Sequence, residues 1–83
     1  MGKKLKFKKK TLADLKKGES GRVVKLHGDA VSQRRLMALG VVKGKSIVLE
    51  DKAPLGDPCI CTILGYRLTL RNSDAKNIVI TSP

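Results

Sequence analysis

A single helix signal lies between two β segments, and this feature limits what the rest of the chain can form. Leu36 and Leu39 fall on one helical face, and Asp29 precedes them with a carboxylate for the first free backbone N–H groups. Gly40 ends the run, because the residue just past a helix end often needs a positive φ that glycine reaches without a Cβ clash. The sequence therefore predicts one α-helix at about residues 30–39, inserted into a β domain.

The other apolar runs are short and rich in Val, Ile and Leu, which is typical of strands. Five are predicted, at residues 21–26, 46–49, 59–64, 67–71 and 77–81. In the first of these we expect Val24 and Leu26 to point inward. Short helical turns are expected near residues 11–16 and 73–76. Because a sheet this small protects its edges best by curling, the fold class is mainly β, a small five-stranded barrel with one inserted helix.

Positive charge is concentrated at the start of the chain. Six of the 18 basic residues lie in the first ten positions: Lys3, Lys4, Lys6, Lys8, Lys9 and Lys10. The remaining residues carry twelve basic and seven acidic groups, so the net charge of +11 is largely a property of this segment. We interpret residues 1–10 as a basic arm and residues 11–81 as one domain.

The length and the apolar pattern exclude several classes of protein. A chain of 83 residues holds one hydrophobic core, and with 2% aromatic residues that core is aliphatic. No apolar run approaches the ~20 residues of a membrane span, and no apolar segment of a secretory signal follows the basic N-terminus. We therefore expect a soluble, cytosolic protein.

Catalytic chemistry has few candidates. His27 is the single histidine, with no carboxylate or thiol at a telling spacing, so we interpret it as an exposed turn residue. The glycine-containing turns do not follow the phosphate-loop pattern. The sequence therefore predicts no enzyme and indicates no cofactor.

Two cysteines are the weak candidates for metal ligands. Cys59 and Cys61 lie two apart on a predicted strand, so both point to one face, with sulfurs expected roughly 6–7 Å apart. Because Ile63 continues the same face, the pattern favours packing of both thiols in the core. A metal-sensing or metallochaperone domain that uses the two thiols stays as an alternative. The same alternation places Ile60 and Leu64 outward, which indicates a patch covered by a partner or by self-association.

A basic stripe gives a further alternative, a small barrel that binds RNA or a ribosomal surface. Six cations could form it: Arg34, Arg35, Lys43, Lys45, Arg67 and Arg71. Base stacking needs exposed aromatic side chains on the sheet, and Tyr66, between two predicted strands, is the one available. The composition therefore argues against nucleic acid as the main partner.

Several short motifs occur together in one order and spacing. They comprise Leu12 and Leu15 before Gly18, Arg35-Leu36 and Leu39-Gly40 before Gly44, the loop Ala53–Pro58, and Gly65-Tyr66-Arg-Leu-x-Leu-Arg71 followed by Ala75 and Ile78. In this combination the chain resembles the FeoA family, small cytoplasmic partners of the bacterial ferrous-iron permease FeoB. The resemblance implies an SH3-like barrel and a non-enzymatic accessory module that docks on the cytoplasmic side of a FeoB-type GTPase permease.

The resemblance also bears on individual residues. Five residues match the structural motif: Leu36, Gly44, Asp57, Pro58 and Gly65. We expect the partner to bind the helix end and the outward apolar pair, through Arg34, Arg35, Leu39, Gly40, Val41, Ile60 and Leu64. The family motif supplies no iron ligands to carry onto this chain, and its positions 59 and 61 are usually apolar.

The lysine arm departs from the family pattern. A lysine beside an anionic bilayer is worth about 1 kcal/mol, so the arm is expected to hold the domain against such a surface. The expected location is then the cytoplasm, peripheral at the inner membrane face.

Overall fold

Residues 10–81 are described by a computed structural model, and their six strands form one antiparallel sheet. The strands are β1 Lys10–Thr11, β2 Ser20–Leu26, β3 Ser46–Lys52, β4 Cys59–Ile63, β5 Tyr66–Leu70 and β6 Ile78–Thr81, in the sheet order β1-β6-β2-β3-β4-β5. The helices are α1 Ala30–Ala38 and α2 Asn72–Ala75, and a 3₁₀ turn spans Leu12–Asp14.

Side chains from distant strands of the sheet meet in one aliphatic core. Leu70 on edge strand β5 and Ile80 on β6, next to the opposite edge, belong to the same buried cluster. The sheet must therefore curl around that cluster, and the predicted mainly β class with one inserted helix is confirmed. The strand beyond the five predicted is β1, whose two residues pair with β6.

The start of α1 follows the local sequence closely. The carboxylate of Asp29 accepts a hydrogen bond from the backbone N–H of Ser32 at 2.7 Å. This bond, with a further one from the Ser32 side chain, lowers the pKa of Asp29. Because the bond satisfies one of the free N–H groups of the first turn, it fixes where the helix begins.

The end of α1 is a Schellman motif. Gly40 has a φ of +98°, and its N–H donates to the carbonyl of Met37 at 2.9 Å. The N–H of Val41 donates to the carbonyl of Leu36 at 3.0 Å, and both of these side chains are fully buried. The pair of bonds and the shared burial are the features that define this helix stop. They turn the chain from the helix toward β3.

Strand β2 contains a bulge that reverses part of the prediction. Its pairing with β6 shifts register between Val23 and Lys25, so Val24 is the extra residue. Val23 is buried, whereas Val24 is half-buried. The prediction that Val24 points into the core was wrong, because the bulge changes which residues alternate inward. Leu26, beyond the bulge, packs against the core as expected.

The other long strands keep regular alternation on their core-facing side. Burial is nearly complete for residues two apart in β3, β4 and β6: Ile47, Leu49, Cys59, Cys61, Ile63, Ile78 and Ile80. The β4–β5 turn is Leu64-Gly65, with φ values of +54° and +82°.

Lys10 belongs to β1, and the rest of the predicted arm lies outside the described residues. Within 10–81, no helix has both the length and the apolar character needed to cross a membrane.

Candidate partner-binding surface

The end of α1 packs directly against the β4–β5 hairpin. The hydroxyl of Tyr66 donates a hydrogen bond to the carbonyl of Leu39. A Cβ on Gly40 would lie 2.8 Å from Leu64 Cδ1 and 2.8 Å from Tyr66 Oη. We call the surface made by Leu39, Gly40, Leu64 and Tyr66 the helix–hairpin junction. In this junction the Tyr66 hydrogen bond joins the helix stop to the hairpin turn.

The helix–hairpin junction presents apolar groups to solvent. Leu64 keeps 54% of its surface exposed and Tyr66 keeps 44%. A single exposed leucine means little, but here two large side chains meet above a glycine. Such a patch is a candidate for contact with another protein.

The other predicted partner residues divide into different environments. Arg34 is exposed on α1. Val41 is fully buried, so its assignment to a contact surface was wrong: as the residue after the Schellman glycine, it fills the core. Ile60 is half-buried on β4, four residues before Leu64 and therefore about 13 Å from it along an extended chain. The structure does not bring Ile60 into the helix–hairpin junction.

Arg35 holds two helices together. Its Nη2 lies 2.6 Å from Oδ1 of Asp74 in α2, and the Asp74 side chain is 12% exposed. The guanidinium is therefore committed to an internal ion pair while half of the side chain remains exposed. A partner would meet an arginine whose orientation is already fixed.

The five motif residues occupy structural positions. Leu36 is fully buried, and Gly44 has a φ of +92° and donates to the carbonyl of Val23 at 2.7 Å. The Asp57 carboxylate accepts from the N–H of Asn72 at 3.1 Å, which ties the 53–58 loop to the start of α2. The carbonyl of Pro58 closes the same loop by accepting from Ala53, and Gly65 supplies a positive φ in the hairpin turn.

An open cleft lies between α1 and β2, and sequence reasoning missed it. Its volume is about 480 Å³, and its lining residues are Val23, Val24, Lys25, Leu26, Gln33, Met37, Val42 and Lys43. The bulge in β2 contributes Val24 to this lining. The consecutive valines of β2 were the one signal in the sequence, since either could have taken the inward position.

The two cysteines lie side by side in the core. Their Sγ atoms are 3.9 Å apart, closer than the predicted 6–7 Å, because the side chains lean toward each other from strand positions that are farther apart. A hydrogen bond from the Cys61 thiol lowers the pKa of Cys59 to about 7. The same bond, together with burial, raises the pKa of Cys61.

A metal centre would need more ligands than this pair. Within 10–81, no group of three or more His, Cys, Asp or Glu side chains is placed to hold an ion. A closed zinc site takes four such ligands. The arrangement agrees with the packing interpretation of both thiols.

His27 was expected to be exposed, but it is half-buried. The backbone N–H of His27 donates to the backbone carbonyl of Asn77 at 2.7 Å. This bond fixes the start of the turn into α1 against the residue that precedes β6. His27 therefore has a structural role in this turn.

The predicted basic stripe is exposed at all six positions, but its members have different roles. Arg35 is held by Asp74, and Lys43 lines the cleft. Tyr66, the aromatic candidate for base stacking, directs its hydroxyl to the helix end.

The curled sheet and the inserted helix define a small β-barrel domain. The FeoA domain model matches residues 10–82, which is nearly the whole chain. The chain therefore belongs to the FeoA family, which is linked to ferrous iron transport.

A relative in Porphyromonas gingivalis agrees with this membership. The chain is 35% identical over 69 residues to a fusion of Fe(2+) transport protein A with Fe(2+) transporter FeoB from Porphyromonas gingivalis. That match covers 83% of this chain and 8% of the fusion protein, so this chain corresponds to a small part of it.

Solved structures show the same fold. A FeoA-like protein from Clostridium acetobutylicum superposes with a TM-score of 0.83 at 32% identity, over 93% of this chain and 90% of that one. FeoA of Stenotrophomonas maltophilia, complexed with zinc and described as an SH3 domain protein, has a TM-score of 0.72 at 34% identity, over 87% and 89% of the two chains. The SH3-like class expected from the sequence is thereby confirmed.

Proposed function

We propose that this chain is a non-enzymatic accessory and regulatory module of ferrous iron uptake, and that it docks on the cytoplasmic side of a FeoB-type GTPase permease. The observation that carries the proposal is the Porphyromonas gingivalis fusion, in which a related segment and a FeoB transporter share one polypeptide. Fusion keeps two modules at high effective concentration, which is useful when they act by contact.

The helix–hairpin junction supports the docking role. Exposed Leu64 and Tyr66 give a partner apolar area, and the bond from Tyr66 to Leu39 holds that area in one geometry. A surface already ordered before binding loses less side-chain freedom on association than a flexible one. Arg34 lies exposed on the adjoining helix and adds positive charge near this surface.

The test compares two leucines. Leu64→Arg places a charge in the helix–hairpin junction, whereas Leu55→Arg places the same charge in the 53–58 loop, where Leu55 is 95% exposed. We expect Leu64→Arg to weaken binding to the purified permease at least tenfold, while Leu55→Arg leaves it within threefold. Both variants should keep the thermal midpoint within a few degrees, since neither leucine belongs to the buried core.

Equal binding by both variants would remove the helix–hairpin junction from the proposal. If the unaltered chain does not bind the permease, the permease is not its partner and the proposed function is wrong.

A further inference from the structure

We propose that the cleft between α1 and β2 receives an acidic, aliphatic segment of the partner protein. The inference rests on the proposed function and names the chemistry of the segment that would be bound. Met37 and Val42 line the cleft, so it begins within two residues of Leu39 and Gly40 along the chain.

The lining of the cleft is built for aliphatic side chains. Val24, Leu26 and Val42 are half-buried along it, with Val23 buried beneath, and Met37 is 44% exposed at its side. Methionine is flexible and polarisable, so it adapts its shape to different apolar partners. The volume of about 480 Å³ admits a few aliphatic side chains.

The bulge in β2 is what gives this lining its outward valine. Regular alternation counted back from the inward Leu26 would point Val24 into the core and Val23 away from it. The register shift between Val23 and Lys25 instead frees Val24 from the β6 ladder and sets it in the cleft. Bulges frequently re-aim a side chain beside a functional site, and this one re-aims an apolar side chain.

The rim of the cleft carries positive charge. Lys25 and Lys43 line it, and Arg22 lies beside it, with Nη1 donating to the carbonyl of Gly44 at 2.9 Å. Among residues 10–81, no acidic side chain is part of the lining. Within residues 10–81 the one ion pair joins Arg35 to Asp74, so both lysines face solvent without a carboxylate partner. Carboxylates on an incoming segment would complement this rim and speed its association.

Charge also decides between possible occupants. A second copy of this chain would bring the same positive rim, and the chain's own first ten residues hold six lysines and no acid. Like charges at close range oppose either occupant. A segment of the permease that carries carboxylates beside two or three aliphatic residues fits both the lining and the rim.

The experiment records ¹H–¹⁵N spectra of the full chain during titration with overlapping 15-residue peptides. The peptides cover the cytoplasmic segments of the FeoB-type permease of the same organism. We expect an acidic, aliphatic peptide to shift the amide signals of residues 23–26, 33, 37 and 42–43. Lys25→Glu/Lys43→Glu should weaken this peptide at least tenfold, and 0.5 M NaCl should weaken it for the unaltered chain.

The matched control is Lys16→Glu/Lys17→Glu, which makes the same change in net charge at two exposed lysines outside the cleft. We expect it to retain binding within threefold. A test of the apolar lining is Val24→Lys, which adds a further positive charge to the cleft and should nevertheless abolish the peptide shifts.

Several results would overturn the inference, and they are distinguishable from failure of the proposed function. If the intact permease binds equally to the unaltered chain and to Lys25→Glu/Lys43→Glu, docking stands and the cleft is not its site. If no peptide shifts the cleft signals but octanoate does, the cleft is a small-molecule site and the inference fails. If the permease does not bind the unaltered chain, the proposed function itself fails.

Discussion

At the scale of single residues, the two cysteines show what strand alternation predicts about side chains and what it does not. The pattern predicted that Cys59 and Cys61 share the buried face of β4, and both are buried. It overestimated the distance between the sulfurs, because strand spacing fixes where Cβ atoms lie and side-chain torsions then move the Sγ atoms. At 3.9 Å one thiol becomes the hydrogen-bond partner of the other. That pairing gives the residues a chemistry that the sequence alone did not indicate.

We predict that the pair releases one proton near pH 7. The Cys61 thiol stabilises the Cys59 thiolate and holds the pKa of Cys59 at about 7, whereas burial and the same bond raise the pKa of Cys61. Thiolate absorbance at 240 nm should therefore rise by one equivalent around pH 7, and Cys61→Ala should move the rise to higher pH. A titration in urea, where free cysteine has a pKa of about 8.5, is the control.

The same titration has a consequence for stability. Between pH 7 and about 8.5 the unfolded chain binds more protons at these thiols than the native chain, so stability rises with pH in that window. Urea midpoints at pH 6.5 and 8.5 check the sign. If the absorbance at 240 nm of the native chain rises only at the pH where that of the urea-unfolded chain rises, the pKa of Cys59 is not lowered and the prediction is wrong.

Gly40 and Gly44 separate two effects of a Cβ. Both have positive φ, but a Cβ on Gly44 would meet nothing within 4 Å, whereas one on Gly40 would meet Leu64 and Tyr66 at 2.8 Å. Gly44→Ala should cost only the left-handed backbone strain, roughly 1–2 kcal/mol. Gly40→Ala should cost about 1 kcal/mol more, because the exposed ends of Leu64 and Tyr66 must shift to admit the Cβ. If urea denaturation gives the same loss in the free energy of unfolding for both variants, Leu64 and Tyr66 move aside without a measurable energetic penalty.

At the scale of elements, α1 was predictable and β2 was not. Asp29 and Gly40 act locally, through bonds to backbone groups within one turn, so the residues themselves indicate where α1 begins and ends. The bulge in β2 depends on how that strand pairs with β6 near the end of the chain. Val23 and Val24 are chemically identical, so no local preference distinguishes them. The cleft was missed for that reason.

The link between α1 and α2 also escaped the sequence analysis. The Arg35–Asp74 pair joins residues 39 positions apart, and periodicity carries no information about such a contact. We predict a coupling of about 1 kcal/mol in a double-mutant cycle of Arg35→Met and Asp74→Asn, measured by urea denaturation. Arg34→Met, an exposed neighbour, paired with Asp74→Asn is the control and should show none. A coupling near zero for the Arg35 cycle would mean that solvent screens the pair completely.

At the scale of the whole molecule, the fold followed from the aliphatic pattern and the short length. Most of the surface did not. Leu39 and Gly40 were expected at a contact surface from the helix stop, and Leu64 from the outward face of β4, but the sequence did not indicate that they lie side by side. Tyr66 was considered only as a stacking residue, although its hydroxyl joins the two elements.

The role of the lysine arm at an anionic membrane surface is a separate prediction. Removing residues 2–9 deletes five of its six lysines and spares Lys10, which pairs with Ile80 in the sheet. We expect binding to anionic liposomes at low salt to fall sharply, since each lysine near such a surface is worth about 1 kcal/mol. An arm with the same residues in scrambled order should bind as the original does. Unchanged binding after the deletion would contradict a role at the membrane surface.

Contact with a FeoB-type permease through an apolar and basic surface can be measured by equilibrium binding. The full chain would be titrated onto the purified permease in 0.1 M and in 0.5 M NaCl. We expect saturable one-to-one binding that persists at the higher salt, because apolar burial at the helix–hairpin junction is insensitive to screening. Contact through this surface would be contradicted if permease binding vanished in 0.5 M NaCl and an RNA bound the chain as tightly as the permease does. That result would favour a general affinity for polyanions.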